Sequence, residues 1–133
     1  VTFDQNALDA ALRMRDRQVG TVVVVDADRP IGILTDRDLT IRVLAAGLDP
    51  LATHVTEVMT PSPTTVQEDA TIVTALSYMK AGRFRRLPVV GQDGHLLGIL
   101  ALDDVLVVVA EELAEVGPLL RREAPHRWLG RQA

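Results

Sequence analysis

The chain contains an internal duplication, which limits its fold to an arrangement of two similar units. The segment VTFDQNALDAALRM (1–14) aligns with VQEDATIVTALSYM (66–79) at a constant separation of 65 residues. After a one-residue insertion, the turn GILTDRD (32–38) aligns with GILALDD (98–104). Repetition at a fixed period indicates one structural unit present twice, with the copies packed against each other.

Each copy has the pattern of a β-α-β-β-α unit. A short extended piece (1–2 and 65–66) leads to an aspartate in a cap-like position, Asp4 or Asp69. The predicted helices are 7–18, 36–46, 71–81 and 102–114, and the predicted strands are 21–25, 31–34, 87–90 and 96–100. The connections DADRP and GQDG are rich in turn residues, so each strand pair is predicted to be a hairpin.

The predicted fold class is α+β, with two tandem units packed as a pseudo-twofold pair. The expected divisions are a first unit at 1–50, a linker and entry segment at 51–64, a second unit at 65–114 and a tail at 115–133. The first unit is expected to be truncated, because the counterpart of VMTP (58–61) would precede residue 1. Since a unit of roughly 55–60 residues is marginal alone, the halves are expected to share a core.

Composition argues against several functional classes. The net charge is −4 and only 3% of residues are aromatic, which disfavours nucleic-acid binding. The apolar runs are too short to span a membrane, so no membrane partner is expected. The chain has no cysteine and no leader pattern, which is compatible with a cytoplasmic protein. Scattered histidines and the lack of catalytic motifs indicate neither a metal site nor an enzyme.

The first copy of the repeated turn has the chemistry of a nucleotide site. Thr35 ends a strand where a helix begins, and backbone N–H groups at a helix start favour a phosphate. Asp38, an acceptor-only carboxylate one turn later, could take both hydroxyls of a ribose. The alternative is that Thr35-x-x-Asp38 is a capping box that needs no ligand. In the second copy Ala101 replaces the threonine, whereas Asp104 is retained.

Several motifs, which follow one another in the same order in the two copies, resemble those of the cystathionine β-synthase (CBS) domain. A tandem pair of these domains is called a Bateman module. The motifs are the duplicated unit, the valine-rich and RRLPVV strands, GI-x-T-x-x-D, and VMTPSPTTV before the second unit. The resemblance implies a non-catalytic regulatory module that needs no cofactor and binds AMP, ADP, ATP or S-adenosylmethionine in clefts between the units. It also implies a homodimer and a regulated effector protein or domain.

The resemblance assigns ribose binding to Asp38 and Asp104, and phosphate binding to Thr35. Residues before the second strand of each unit would hold the adenine, together with the first strand of the second unit. Arg42, one turn past Asp38, would reach a phosphate. The complete set of expected ligand-binding residues is Gly20, Thr21, Val22, Thr35, Asp38, Arg42, Thr65, Val66, Arg85, Arg86, Leu87 and Asp104.

Two alternatives remain open at this stage. One is a ligand-free dimerisation or protein-interaction scaffold, for which the apolar segment 105–109 would provide an intersubunit face. The other is nucleic-acid binding through the arginine-rich tail, which the net charge disfavours. Because Ala101 lacks a hydroxyl, the two expected sites should differ, and the Asp38 site should be the better phosphate binder.

Overall fold

A computed structural model describes the backbone of residues 1–123 and the side chains of residues 1–119. It is a mixed α+β structure with two three-stranded sheets. The helices are α1 (Ala7–Arg17), α2 (Asp36–Asp38, continued by a π-helical segment Leu39–Leu44), α3 (Val55–Val58), α4 (Ile72–Gly82) and α5 (Leu102–Glu123). The strands are β1 (Thr21–Asp26), β2 (Arg29–Thr35), β3 (Thr60–Pro61), β4 (Val66–Gln67), β5 (Arg86–Val90) and β6 (Leu96–Ala101).

Both predicted hairpins are confirmed, and their backbones repeat in detail. β1 pairs with β2 and β5 pairs with β6, each antiparallel, with a register shift at Val24/Val25 and again at Val89/Val90. The N–H of Asp36 donates to the carbonyl of Gly20 at 3.0 Å, and the equivalent bond joins Leu102 to Arg85 at 2.8 Å. The duplication in the sequence therefore extends to single hydrogen bonds.

A parallel strand precedes the hairpin in each half. β4 runs parallel to β5, with Val66 opposite Val89. In the first half, Thr2 forms a parallel bridge to Val25, and the Phe3 N–H donates to the Val25 carbonyl at 3.0 Å. Each short extended piece predicted from the sequence thus lies beside the first strand of its own hairpin.

The segment 51–64, expected as a linker, contains two ordered elements that pack on the first half. α3 contributes Val55 and Val58 to the first core, and β3 pairs antiparallel with the free edge of β2. The chain therefore completes the first sheet before it enters the second. This arrangement places β3 between the two halves.

The expectation of one shared core is wrong, because the buried apolar residues form two clusters. The larger lies in the first half around Leu34, Val24 and Val55. The smaller lies in the second half and consists of Val66, Ala75, Met79 and Leu87. α3 supplies the first half with side chains that the duplicated unit alone does not contain, which explains the larger cluster.

The predicted caps of two helices and the predicted extent of the helix at 36–46 need correction. The helix caps are Asn6 for α1 and Thr71 for α4, whose side chains accept from Asp9 and Thr74 N–H groups, so Asp4 and Asp69 are not caps. The helix predicted at 36–46 is α-helical only to Asp38 and then widens, with the Ala45 N–H donating to the Thr40 carbonyl at 2.8 Å.

The last helix, predicted at 102–114, continues through Gly117 and Pro118 to Glu123. The remainder of the predicted tail (124–133) lies outside the described residues, as do the arginine side chains at 121, 122, 127 and 131. Within residues 1–123, no helix is long and apolar enough to cross a bilayer.

Candidate nucleotide-binding cleft

A cleft of about 250 Å³ lies where the two halves meet. One wall comes from β2 and α2, the second from β3 and the residues after it, and the third from the loop and strand that begin the second hairpin. The lining residues are Ile33, Thr35, Asp38, Thr60, Pro61, Ser62, Pro63, Thr64, Phe84 and Arg86. The cleft thus joins three of the sequence-predicted residues, Thr35, Asp38 and Arg86, from opposite halves.

Thr35 and Asp38 form the capping box that their spacing predicts. The Asp38 N–H donates to Thr35 Oγ1 at 3.1 Å, and the Thr35 N–H donates to Asp38 Oδ2 at 2.9 Å. The box holds both side chains at the floor of the cleft, and the side chain of Asp38 is only 17% exposed. It leaves Asp38 Oδ1 and the Thr35 hydroxyl hydrogen available for further bonds, because each group has more than one bonding site.

Arg42 extends from the π-helical segment toward β3. Its guanidinium lies 3.6 Å from Asp38 Oδ1 and donates to the Val58 carbonyl at 2.8 Å. A weaker contact of 3.4 Å reaches Thr60 Oγ1. Arg42 is thus not among the residues that line the cleft, but it contacts two of the elements that form the walls.

The adjacent residues Arg85 and Arg86 have different environments. Arg85 pairs with Asp103 at 3.3 Å, and both side chains are largely exposed. Arg86 lies opposite Ala101 at the start of β5 and lines the cleft. Among the described residues Arg86 makes no ion pair, so its guanidinium can pair with an anion in the cleft.

Phe84, which is not among the residues predicted from the sequence, provides the aromatic surface of the cleft. Arg83 ends α4 in the left-handed conformation with φ 55°, and the Phe84 N–H donates to the Met79 carbonyl at 2.9 Å. A Cβ on Gly82 would overlap the Phe84 ring, so the glycine admits the ring at this place. The signal in the sequence that could have indicated this residue is an aromatic side chain directly after the Gly-Arg pair at the end of a predicted helix.

Gly20, Thr21 and Val22 do not line this cleft. The carbonyl of Gly20 is bonded to Asp36, and Thr21 lies opposite Thr35 across the hairpin. Val22 is buried in the first core. These residues support the strand that carries Thr35, but they are not among the residues that line the cleft with Asp38.

The expected residues of the second half are not gathered into one cleft. Val66 and Asp104 border an apolar cleft between α4 and α5, of about 270 Å³. Arg85 lines a different cleft beside Met79, and Leu87 is completely buried in the core. Thr65 precedes β4 and is half-buried. Ala101 has no hydroxyl to form a capping box with Asp104, so the duplicated turn has different chemistry here.

Comparison with known proteins decides the family. A sequence model of the CBS domain matches residues 1–45 and again residues 55–111. The chain belongs to the CBS domain family. Two matches in one chain make it a tandem CBS pair, a Bateman module, as the repeated motifs indicate. The second match begins at α3, although α3 and β3 pack on the first half.

Two relatives show the extent of the similarity. This CBS pair is 38% identical to the protein MK0525 of Methanopyrus kandleri over 78% of its own length and 54% of that protein. It is 37% identical to the CBS domain-containing protein CBSCBSPB2 of Arabidopsis thaliana over 92% of its length and 23% of the relative. The chain therefore spans about half, or less, of these relatives.

Solved CBS structures share the fold. Hypoxic Response Protein I with two coordinated zinc ions has a TM-score of 0.72 and 34% identity, covering 80% of this chain and 86% of the other. CBSX2 in complex with AMP has a TM-score of 0.69 and 28% identity, covering 84% of this chain and 86% of the other. The cytosolic domain of the Mg²⁺ channel MgtE in complex with ATP has a TM-score of 0.69 and 31% identity, covering 81% of this chain and 43% of the other. In the described part of this CBS pair, no cluster of three or more His, Cys, Asp or Glu residues could hold a metal ion.

Proposed function

We propose that this CBS pair is a non-catalytic regulatory module that binds an adenosine nucleotide in the cleft between its halves. The observation that carries the proposal is the meeting of Thr35 and Asp38 from the first half with Arg86 from the second half in one cleft. These groups supply a hydroxyl donor, a diol acceptor and a phosphate-binding cation. The AMP and ATP complexes of CBSX2 and MgtE support the same ligand class.

The cleft has a polar and an apolar part, which suit the two ends of a nucleotide. Asp38 Oδ1 would accept from the ribose hydroxyls, while Thr35 and Arg86 would face the phosphate. Phe84, Pro61 and Pro63 offer apolar surface for a purine ring. Binding sites for small molecules typically combine such apolar walls with a few polar groups that fix orientation.

Regulation would follow from the position of the cleft between the halves. A ligand that contacts both Asp38 and Arg86 favours the arrangement in which these residues face each other. A ligand shifts a conformational equilibrium only by its difference in affinity for the two states. Because the contacts come from different halves, nucleotide binding would bias their relative position, and an effector attached to either half could sense it.

Adjacent arginines provide a matched test of the proposal. Arg86→Met should weaken AMP binding about tenfold or more, because a charge-assisted hydrogen bond is worth about 1.5–3 kcal/mol. Arg85→Met removes the same charge one residue away and should leave the affinity unchanged. Binding is measured by calorimetry with AMP, ADP, ATP and S-adenosylmethionine.

The panel also separates this proposal from its alternatives. In the wild-type protein, saturating nucleotide at a hundredfold excess over Kd should stabilise the fold by about 2.7 kcal/mol. If S-adenosylmethionine alone binds, the module is a sensor of that ligand. If no adenosine ligand binds or shifts the melting temperature, the proposal fails and the ligand-free scaffold is the better account.

We further propose that the module is a homodimer. The surface between α1 and the π-helical segment is an apolar groove of about 280 Å³ that includes Leu8, Leu44 and Leu48. Leu44 is 77% exposed in the single chain, and Leu106 and Val107 on α5 are also exposed. An exposed apolar groove of this kind typically marks a protein interface, and a second copy of the chain presents the same groove.

A further inference from the structure

The guanidinium of Arg42 contacts three elements around the cleft. It lies 3.6 Å from Asp38 Oδ1 on α2 and donates to the Val58 carbonyl at the end of α3, at 2.8 Å. Its third partner is Thr60 Oγ1 on β3, at 3.4 Å. Asp38 and Thr60 line the cleft, whereas Arg42 does not. The arginine therefore contacts two walls of the cleft without being one of its lining residues.

The bond to Val58 gives a helix-end carbonyl a donor, and the contact with Asp38 adds a cation to a carboxylate that already accepts from the Thr35 N–H. The last carbonyls of a helix have no intrahelical donor, and Arg side chains commonly bond to them. Asp38 is mostly buried, and a buried carboxylate is costly unless it is paired. A planar guanidinium with five donors can bond to several acceptors at once, which a lysine ammonium does with less fixed geometry.

The second half of the duplication has no arginine at the position equivalent to Arg42. The residue equivalent to Arg42 in the second half is Val108, four residues after Asp104 just as Arg42 follows Asp38. The second half also lacks a described strand in the position of β3. The arginine thus occurs only in the half where its three partners are described.

We propose that Arg42 is a positioning residue that fixes Asp38 and β3 at the spacing a nucleoside requires, and that it does not itself bind the phosphate. This inference rests on the proposed nucleotide function of the cleft. It also implies that nucleotide binding and the seating of β3 stabilise each other, because coupling between two sites is reciprocal. β3 is the segment through which the chain passes from the first half to the second.

The test compares AMP with adenosine, which lacks the phosphate. Arg42→Met should weaken the binding of both ligands by the same factor, about tenfold or more, since it removes charge-assisted bonds that hold the site. Arg86→Met should weaken AMP and leave adenosine unchanged. Arg42→Lys should retain part of the affinity that Arg42→Met loses. Arg37 is an exposed arginine on α2, and Arg37→Met should have no effect on either affinity.

Hydrogen exchange provides a readout of the coupling. The Ser62 N–H donates to the Ile31 carbonyl at 3.1 Å and reports on the pairing of β3 with β2. AMP should slow its exchange in the wild type and have much less effect in Arg42→Met at equal saturation.

Three results would overturn the inference. A loss of AMP affinity with unchanged adenosine affinity would make Arg42 a phosphate ligand. Faster Ser62 exchange in Arg42→Met with both affinities unchanged would make Arg42 purely structural. If the wild type binds neither ligand, the proposed function itself fails, and this inference fails with it.

Discussion

At the residue scale, the carboxylate of Asp38 serves both the helix cap and the proposed site. Oδ2 accepts from the Thr35 N–H at 2.9 Å, whereas Oδ1 faces Arg42. The capping box and the nucleotide site, which appear as alternatives in the sequence, are therefore compatible in one geometry. Removing the Asp38 side chain would lower stability and binding together, so asparagine is the more informative replacement.

Gly82 and Phe84 show a second relation between neighbouring residues. The missing Cβ at Gly82 leaves room for the Phe84 ring, which is 42% exposed and borders the cleft. A side chain at position 82 would displace the ring. The aromatic wall thus depends on a glycine that does not itself line the cleft.

Thr35 and Ala101 occupy equivalent positions in the two repeated turns, and exchanging one residue type for the other should change the free energy of unfolding in opposite directions. Thr35→Ala removes the cap of α2 and should lower the free energy of unfolding by about 1 kcal/mol. Ala101→Thr adds a Thr-x-x-Asp sequence before α5 and should raise it by about 0.5–1 kcal/mol. Urea denaturation with an unchanged m-value measures both effects.

Thr35→Ser is the control, because serine keeps the capping hydroxyl and should retain the stability of the wild type. A destabilised Ala101→Thr variant would contradict the view that the second turn lacks only the hydroxyl. Equal stability of Thr35→Ala and the wild type would contradict the importance of the first cap.

At the element scale, the hairpins were predictable from sequence and the helix ends were not. Strands such as TVVVV with turn residues between them have a strong local signal, and both hairpins form as expected. The π-helical bonds after Asp38 and the continuation of α5 past Pro118 depend on packing and on hydrogen bonds that periodicity does not reveal. Asn6, rather than Asp4, caps α1 because its side chain reaches Asp9.

The composition of the cleft was only partly predictable for a related reason. The Thr35-x-x-Asp38 spacing is local, so the sequence indicates it directly. The walls formed by β3 and by Phe84 require knowledge of which strand edge receives the segment 60–64, which is a long-range contact. Arg42 is one helical turn from Asp38, but its bond to Val58 spans 16 residues and follows from the packing of α3.

The apolar groove that includes Leu44 is the proposed interface of the homodimer, so charges introduced there should weaken the dimer. Leu44→Asp places a charge in the apolar groove and should convert the proposed homodimer to a monomer, because an unpaired charge is costly in an interface. Thr40→Asp places the same charge at a polar position of the groove and should also weaken the dimer. Arg17→Asp, on α1 outside the groove, is a control that should remain dimeric. Sedimentation equilibrium measures the change in mass.

A wild-type protein that is monomeric at all accessible concentrations would contradict the dimer proposal. A dimer that persists in Leu44→Asp would place the interface on a different surface. Neither result bears on nucleotide binding, because the groove and the cleft share no lining residue.

At the scale of the whole molecule, two separate cores are joined at the level of the strands and turns. The Leu96 N–H donates to the Asp28 carbonyl at 2.8 Å, which connects the start of β6 to the turn of the first hairpin. β3 and the cleft provide a second junction. Each half has its own buried cluster, so under the proposed function a nucleotide bound in the cleft would act on the relative position of the halves.

The duplicated turns have diverged, and this divergence gives the account its main prediction. Thr35, Asp38 and Arg42 form a connected group in the first half, whereas Ala101, Asp104 and Val108 occupy the equivalent positions in the second. The proposed nucleotide site is therefore asymmetric, with one phosphate-binding cleft per chain.

Calorimetric titration of AMP into the wild type, Asp38→Asn and Asp104→Asn distinguishes one asymmetric site per chain from two equivalent sites. The Asp38→Asn side chain would keep an acceptor for the Thr35 N–H but lose the carboxylate charge and its capacity for two ribose hydroxyls. We expect one AMP per chain, an affinity at least about tenfold lower in Asp38→Asn, and no change in Asp104→Asn. Two equivalent sites, a loss of binding confined to Asp104→Asn, or no binding to the wild type would contradict the account.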